Sequence, residues 1–155
     1  MDTLRALISR YARWLKLTYL LSITGLLYFA LSNYAYDDPF ITYRYADNLR
    51  NGLGFVYNPG ERILSTTTPL FAILLALTGN FWSNLPHLAN FIGAFSIAAG
   101  GLLIWELGQT WDAPFVGWSG LLLFPTFPLL LSTLGSETPL FLAFALGSFL
   151  LYAHQ

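Results

Sequence analysis

None of the chain's seven Lys and Arg residues lies beyond Arg62, although the sequence continues to Gln155. Before and after that point, long stretches carry no Asp, Glu, Lys or Arg at all: 17–36, 63–105, 113–136 and 138–153. Crossing a bilayer as a helix takes about 20 mostly apolar residues, so this spacing of charges allows four crossings. Composition agrees with that reading. The chain is 55% hydrophobic and 10% charged, where an average soluble domain is about 25% charged. Such a chain cannot stay solvated as a disordered one. Seven basic residues against eight acidic ones leave no basic stripe for releasing counterions, which argues against nucleic acid as a partner. Without a cysteine, disulfide frameworks and thiolate metal sites are excluded.

These features predict an all-α, polytopic membrane protein with about four transmembrane helices and one further short helix in its first outer loop. Residues 1–16 read as an amphipathic interfacial helix, with Leu4, Leu7, Ile8 and Tyr11 on one stripe and Arg5, Arg10 and Arg13 largely off it. Residues 17–34 are the first span. A cleaved signal peptide is the rival reading, but Asn33-Tyr34-Ala35-Tyr36 makes a poor cleavage site. Arg5, Arg10, Arg13 and Lys16 precede this span and put the N-terminus in the cytoplasm.

The extracytoplasmic loop is then 35–84. Asp38-Pro39 starts a helix over 39–50 and Gly52 ends it. The apolar run 69–77 covers about 14 Å, too little to cross, and reads as a re-entrant or juxtamembrane helix. The remaining spans are 87–106, 115–134 and 139–153, the middle one kinked by Pro125 and Pro128. On this topology Glu137 lies on the outer side with Asp37 and Asp38. If 69–77 did cross, Glu137 would face the cytoplasm.

The residues able to carry chemistry collect on the outer side. Asp37 and Asp38 are adjacent carboxylates, suited to a general base, a divalent metal or both, whereas a helix cap needs only one of them. Arg44 and Arg50 offer guanidinium forks for a phosphate; the plainer alternative pairs Arg44 with Asp47, three residues away. Tyr43, Tyr45 and Tyr57 suit stacking on a sugar or seating at the headgroup level. Glu137, between Ser136 and Thr138, is either a functional acid or a helix-terminal one. His87 and His154 lack ligand spacing.

The run Asp37-Asp38-Pro39-Phe40-Ile41-Thr42-Tyr43-Arg44-Tyr45-Ala46-Asp47-Asn48-Leu49, continued by Gly52-Leu53-Gly54-Phe55-Val56-Tyr57-Asn58-Pro59-Gly60-Glu61, resembles the first outer loop of polytopic GT-C glycosyltransferases. It is most similar to the branch containing arabinofuranosyltransferases of the bacterial cell envelope. Ser65-Thr66-Thr67-Thr68-Pro69-Leu70-Phe71 resembles the start of that family's juxtamembrane helix, and Gly135-Ser136-Glu137-Thr138-Pro139-Leu140-Phe141 its second-loop acidic motif.

The resemblance implies transfer of a sugar from a polyprenyl-phosphate donor to a lipid, glycan or protein hydroxyl, outside the cytoplasmic membrane. It implies that Asp37 or Asp38 is the general base, with a divalent ion held there in some members. Arg44, Glu137, Tyr43 and Tyr57 would bind substrate. Members of the family are several times longer, so the expectation is the N-terminal part of such a core, working with a partner membrane subunit if not active alone. The alternative is a non-catalytic membrane module that binds a lipid phosphate or a partner. A small transporter is disfavoured, because the acids sit at the outer surface and not at mid-span.

Overall fold

The computed structural model describes residues 2–61 and 63–155, with side chains from Tyr11 onward. Seven α-helices make up the described residues, with no strand among them: α1 (Asp2–Leu31), α2 (Asp38–Arg50), α3 (Pro69–Thr78), α4 (Leu85–Thr110), α5 (Pro114–Leu123), α6 (Pro128–Leu131) and α7 (Thr138–Ala153). The stretches 11–31 of α1 and 85–110 of α4 are each long and apolar enough to cross a membrane.

Helix α4 is the centre of the molecule and packs against α1, α5 and α7. Its interior is lined with small residues, and these set how close the neighbours come. A Cβ on Gly108 would lie 2.6 Å from the Cα of Gly117, so the α4 and α5 backbones meet where neither has a side chain. Helix α1 runs antiparallel to α4. At one end Lys16 pairs with Glu106, its ammonium 5.0 Å from the centre of the Trp105 ring. At the other end the Asn90 amide donates to the carbonyls of Leu31 (3.3 Å), Ser32 (3.1 Å) and Tyr34 (2.9 Å). Those carbonyls close α1 and the turn after it, where the helix leaves its last carbonyls without intrahelical donors; Leu31 O also accepts from the Tyr34 N–H at 2.9 Å.

Two expected elements differ in the structure. Residues 1–16 and 17–34 are not separate segments: one helix runs unbroken from Asp2 and ends at Leu31. No Gly or Pro stands near 16–17 to break it, and a change from amphipathic to apolar sequence changes what a helix faces, not its backbone. The segment expected as one kinked span at 115–134 is instead α5, a 3-10 turn at Phe124–Thr126, an extended Phe127 and the short α6. Pro125 and Pro128 each remove a donor and crowd the preceding turn. Nearby hydroxyls take up carbonyls along the broken segment: Tyr19 donates to Leu121, the carbonyl that Pro125 frees, at 2.6 Å, Thr126 to Leu123 at 3.0 Å, and Tyr34 to Ser132 past the end of α6 at 3.1 Å. The break lies beside the middle of α4, with the Phe124 ring against Gly100.

Helices α2 and α3 form a cap over the start of α4. Tyr43 and Ala46 of α2, Phe71 and Leu75 of α3, and Leu85, Leu88 and Ala89 of α4 make one buried cluster. At 10 residues, α3 rises about 15 Å and lies against α2.

Candidate functional site

Three helices begin at one place. Helix α2 starts at Asp38, behind an Asp37 that makes no side-chain cap hydrogen bond; α7 starts at Thr138, behind a Glu137 that makes none either. Neither acid is therefore used as a cap. Between them, Ser65–Thr68 leads into α3 and is tied along α2. The buried Tyr45 hydroxyl donates to the Ile63 carbonyl at 2.5 Å and accepts from the Ser65 N–H at 2.8 Å. Thr42 Oγ1 lies 2.9 Å from Thr68 Oγ1 and 3.4 Å from Thr66 Oγ1.

Glu137 is brought to α2 by a single turn. Gly135 has φ +92°, a conformation that disfavours any side chain. Its carbonyl accepts from the buried Tyr43 hydroxyl at 2.7 Å. Ser136 Oγ donates to Thr133 O at 2.8 Å and accepts from the Thr138 N–H at 3.3 Å.

The result is a cavity of about 410 Å³ whose walls include Tyr36, Asp38, Thr42, Ser65–Thr68, Ser136, Glu137 and Thr138. Glu137 and Asp38 thus lie at the same end of the molecule, around one space. Among the described residues no Lys or Arg lines it. Burial pushes the Tyr36 phenol above its ordinary range. Its hydrogen bond with Ser136 opposes that rise, while the Glu137 and Asp38 charges and neighbouring Tyr34 add to it. At neutral pH Tyr36 is therefore a neutral hydroxyl among two carboxyl groups. Sequence reasoning missed Tyr36, although it directly precedes Asp37-Asp38.

An apolar groove of about 490 Å³ between α3 and α7 adjoins the cavity. Leu70, Phe71 and Leu74 form one side, Leu140, Phe141 and Phe144 the other. Thr67, Thr68 and Glu137 line both spaces, so hydroxyls and a carboxylate stand where polar lining gives way to apolar.

The other expected residues go elsewhere. Asp37 is exposed and does not line the cavity, so the adjacent pair is divided. Tyr43 is buried in the core, and its hydroxyl, held by burial well above the usual phenol range, serves Gly135. Tyr57 is 40% exposed; its carbonyl accepts from Asn48 at 2.8 Å and from Arg44 Nε at 3.4 Å. The Arg44–Asp47 pair weighed from sequence does not form. Asp47 pairs with Arg50 at 2.6 Å instead, and Arg50 also donates to Gly79 O at 3.0 Å. That commits Arg50 to holding α2 against the loop after α3. Thr110 Oγ1 approaches His154 Nε2 at 3.4 Å, and Tyr28 the Nδ1 of His87 at 3.3 Å.

Among the described residues no three His, Asp or Glu side chains converge as a metal site. Asp38, Glu137 and the threonine hydroxyls line the cavity with oxygen atoms, the donor type that hard divalent cations take. No protein-family model, curated protein or solved structure matches this chain.

Proposed function

We propose that the chain is embedded in the cytoplasmic membrane and transfers a sugar from a polyprenyl-phosphate donor to a hydroxyl acceptor on the outer face. The observation that carries this reading is a hydroxyl- and carboxylate-lined cavity beside an apolar groove, with Thr67, Thr68 and Glu137 lining both. Such a pair of spaces suits an amphipathic ligand, with its polar head beside Asp38 and Glu137 and its hydrocarbon chain between α3 and α7. The crossings in this reading are α1, α4, the broken α5–α6 segment and α7. Helix α4, at 26 residues, rises about 39 Å, more than the hydrocarbon thickness. The basic N-terminal residues keep that end inside.

In the transfer, Asp38 takes the proton of the acceptor hydroxyl as its oxygen bonds to the anomeric carbon. The bond from that carbon to the phosphate oxygen breaks, and the phosphate leaves with the electron pair. The first turns of α3 and α7 and the hydroxyls of Thr67 and Thr68 face the departing charge. A divalent ion held by Asp38 and Glu137 would supply further charge neutralisation. Asp38 is preferred to Asp37 because it alone of the two lines the cavity.

The test is turnover in proteoliposomes loaded with synthetic polyprenyl-phosphate-linked sugars, read as release of polyprenyl phosphate. The wild-type chain should release it, and Asp38→Asn should lower the rate by about 10²- to 10⁴-fold, the usual share of a general base. Equal turnover in wild type and Asp38→Asn would remove the proposed base. Saturable binding with no turnover would favour a module that binds the lipid phosphate without catalysis.

A further inference from the structure

Most hydroxyls around the Asp38–Glu137 cavity already serve the protein. Ser65 Oγ lies 3.0 Å from the Tyr45 hydroxyl. Thr42, Thr66 and Thr68 bond among themselves, and Thr66 Oγ1 also accepts from the Thr68 N–H at 3.2 Å. Ser136 gives its one proton to Thr133 O at 2.8 Å and accepts from the Thr138 N–H at 3.3 Å. A hydroxyl has one donor and two lone pairs, and in these residues much of that capacity is spent on the wall.

Tyr36 differs. Among the described residues its hydroxyl meets only Ser136, whose proton is already committed to Thr133 O. The chain leading to it is nonetheless held. The buried Asn90 amide donates to Tyr34 O at 2.9 Å, the Tyr34 hydroxyl donates to Ser132 O at 3.1 Å, and the Tyr34 and Tyr36 ring centres are 6.2 Å apart. Both the Asp38 and the Glu137 charge act on the phenol. Thr67 and Thr138 also keep uncommitted hydroxyls among the described residues, but Thr67 stands at the junction with the apolar groove and Thr138 opens α7 beside Glu137. Tyr36 lines the cavity and not the groove. A lipid whose tail fills the groove and whose phosphate lies at the junction would bring its next group, the sugar, to Tyr36.

We propose that Tyr36 is a specificity-determining residue whose hydroxyl hydrogen-bonds a hydroxyl of the sugar carried by the lipid donor. Ionised carboxyl groups only accept hydrogen bonds, so a group seated among Asp38, Glu137 and Tyr36 must be able to donate. A sugar hydroxyl does both: it gives its proton to a carboxylate and accepts from the phenol. A phosphate oxygen has no such proton to give. The inference rests on the lipid-linked-sugar reading above, but not on the transfer step.

The test is binding, with turnover not required. Polyprenyl-phosphate-linked arabinofuranose, its glucose counterpart and bare polyprenyl phosphate would each be titrated into the full chain in nanodiscs. Tyr36→Phe keeps the ring and should bind a sugar-linked lipid about 2- to 10-fold more weakly than wild type, the share of one hydrogen bond, while binding bare polyprenyl phosphate as wild type does. A parallel loss for all three ligands, or no loss for any, overturns the inference. A second arm uses wild type only, with donors that each lack one sugar hydroxyl. At least one should bind more weakly than its parent, and full affinity for every one of them overturns the inference however Tyr36→Phe folds. Sugar-dependent binding without turnover would uphold Tyr36 and remove only the transfer step. A wild type that binds none of the lipids contradicts the lipid-linked-sugar reading and the role of Tyr36 with it.

Discussion

The two faces of α2 are cut from the same 13 residues but do opposite things. One face presents Asp38 to a cavity walled by hydroxyls and a second acid from the far end of the chain. The other presents Arg44 to a groove at the start of α4. Position on the helix, not proximity in sequence, separates them. One helix thus borders two separate spaces, and the buried side chains between them hold the division. Tyr43 and Tyr45 supply those ties, reaching Gly135 on one side and Ile63 with Ser65 on the other.

The largest separation should be in turnover. Asp38→Asn is expected to lose about 10²- to 10⁴-fold in release of polyprenyl phosphate, and Asp37→Asn far less; a larger loss at Asp37 would break the assignment of faces. Next is the turn that delivers Glu137. A Cβ at Gly135 would come within 2.7 Å of Asn90 Oδ1 and 2.8 Å of the Tyr43 hydroxyl, on a backbone with φ +92°. Gly135→Ala should cost about 1–3 kcal/mol, read as a lower melting midpoint. Gly52→Ala, at φ +76° with nothing near the added carbon, should cost less. The smallest effect is Tyr43→Phe, which removes the bond to the Gly135 carbonyl and should cost about 1 kcal/mol. If that variant melts like wild type, the tie between α2 and the Glu137 turn is idle.

Local signals in the sequence carried far. Asp38-Pro39 and Gly52 bracket α2, because a proline near a helix start and a glycine past its end act within a few residues. The nine apolar residues from 69 give α3, and Pro125 with Pro128 mark the broken segment. What could not be read depended on packing. That Glu137 lies at the same end of the molecule as Asp38 follows from the packing that puts both around one cavity. Adjacent Asp37 and Asp38 look alike in sequence; only the cavity tells them apart. Arg44 and Arg50 both stand three residues from Asp47, and Arg50 takes it because the same guanidinium also reaches the carbonyl of Gly79. Tyr36 carries no motif of its own and gains its place from Ser136, Asp38 and Glu137 around it.

Asp38 and Glu137 line one cavity, and the proposed function puts that cavity on the outer side of a membrane. With no native cysteine in the chain, single cysteines report sidedness without background. Asn58→Cys, Thr138→Cys and Gln109→Cys would each be treated with an impermeant maleimide on sealed cells, then again after permeabilisation. Labelling is expected at 58 and 138 on intact cells, and at 109 only once the membrane is opened. Labelling at 58 with 138 protected until permeabilisation would put Glu137 on the opposite side from Asp38 and contradict that placement.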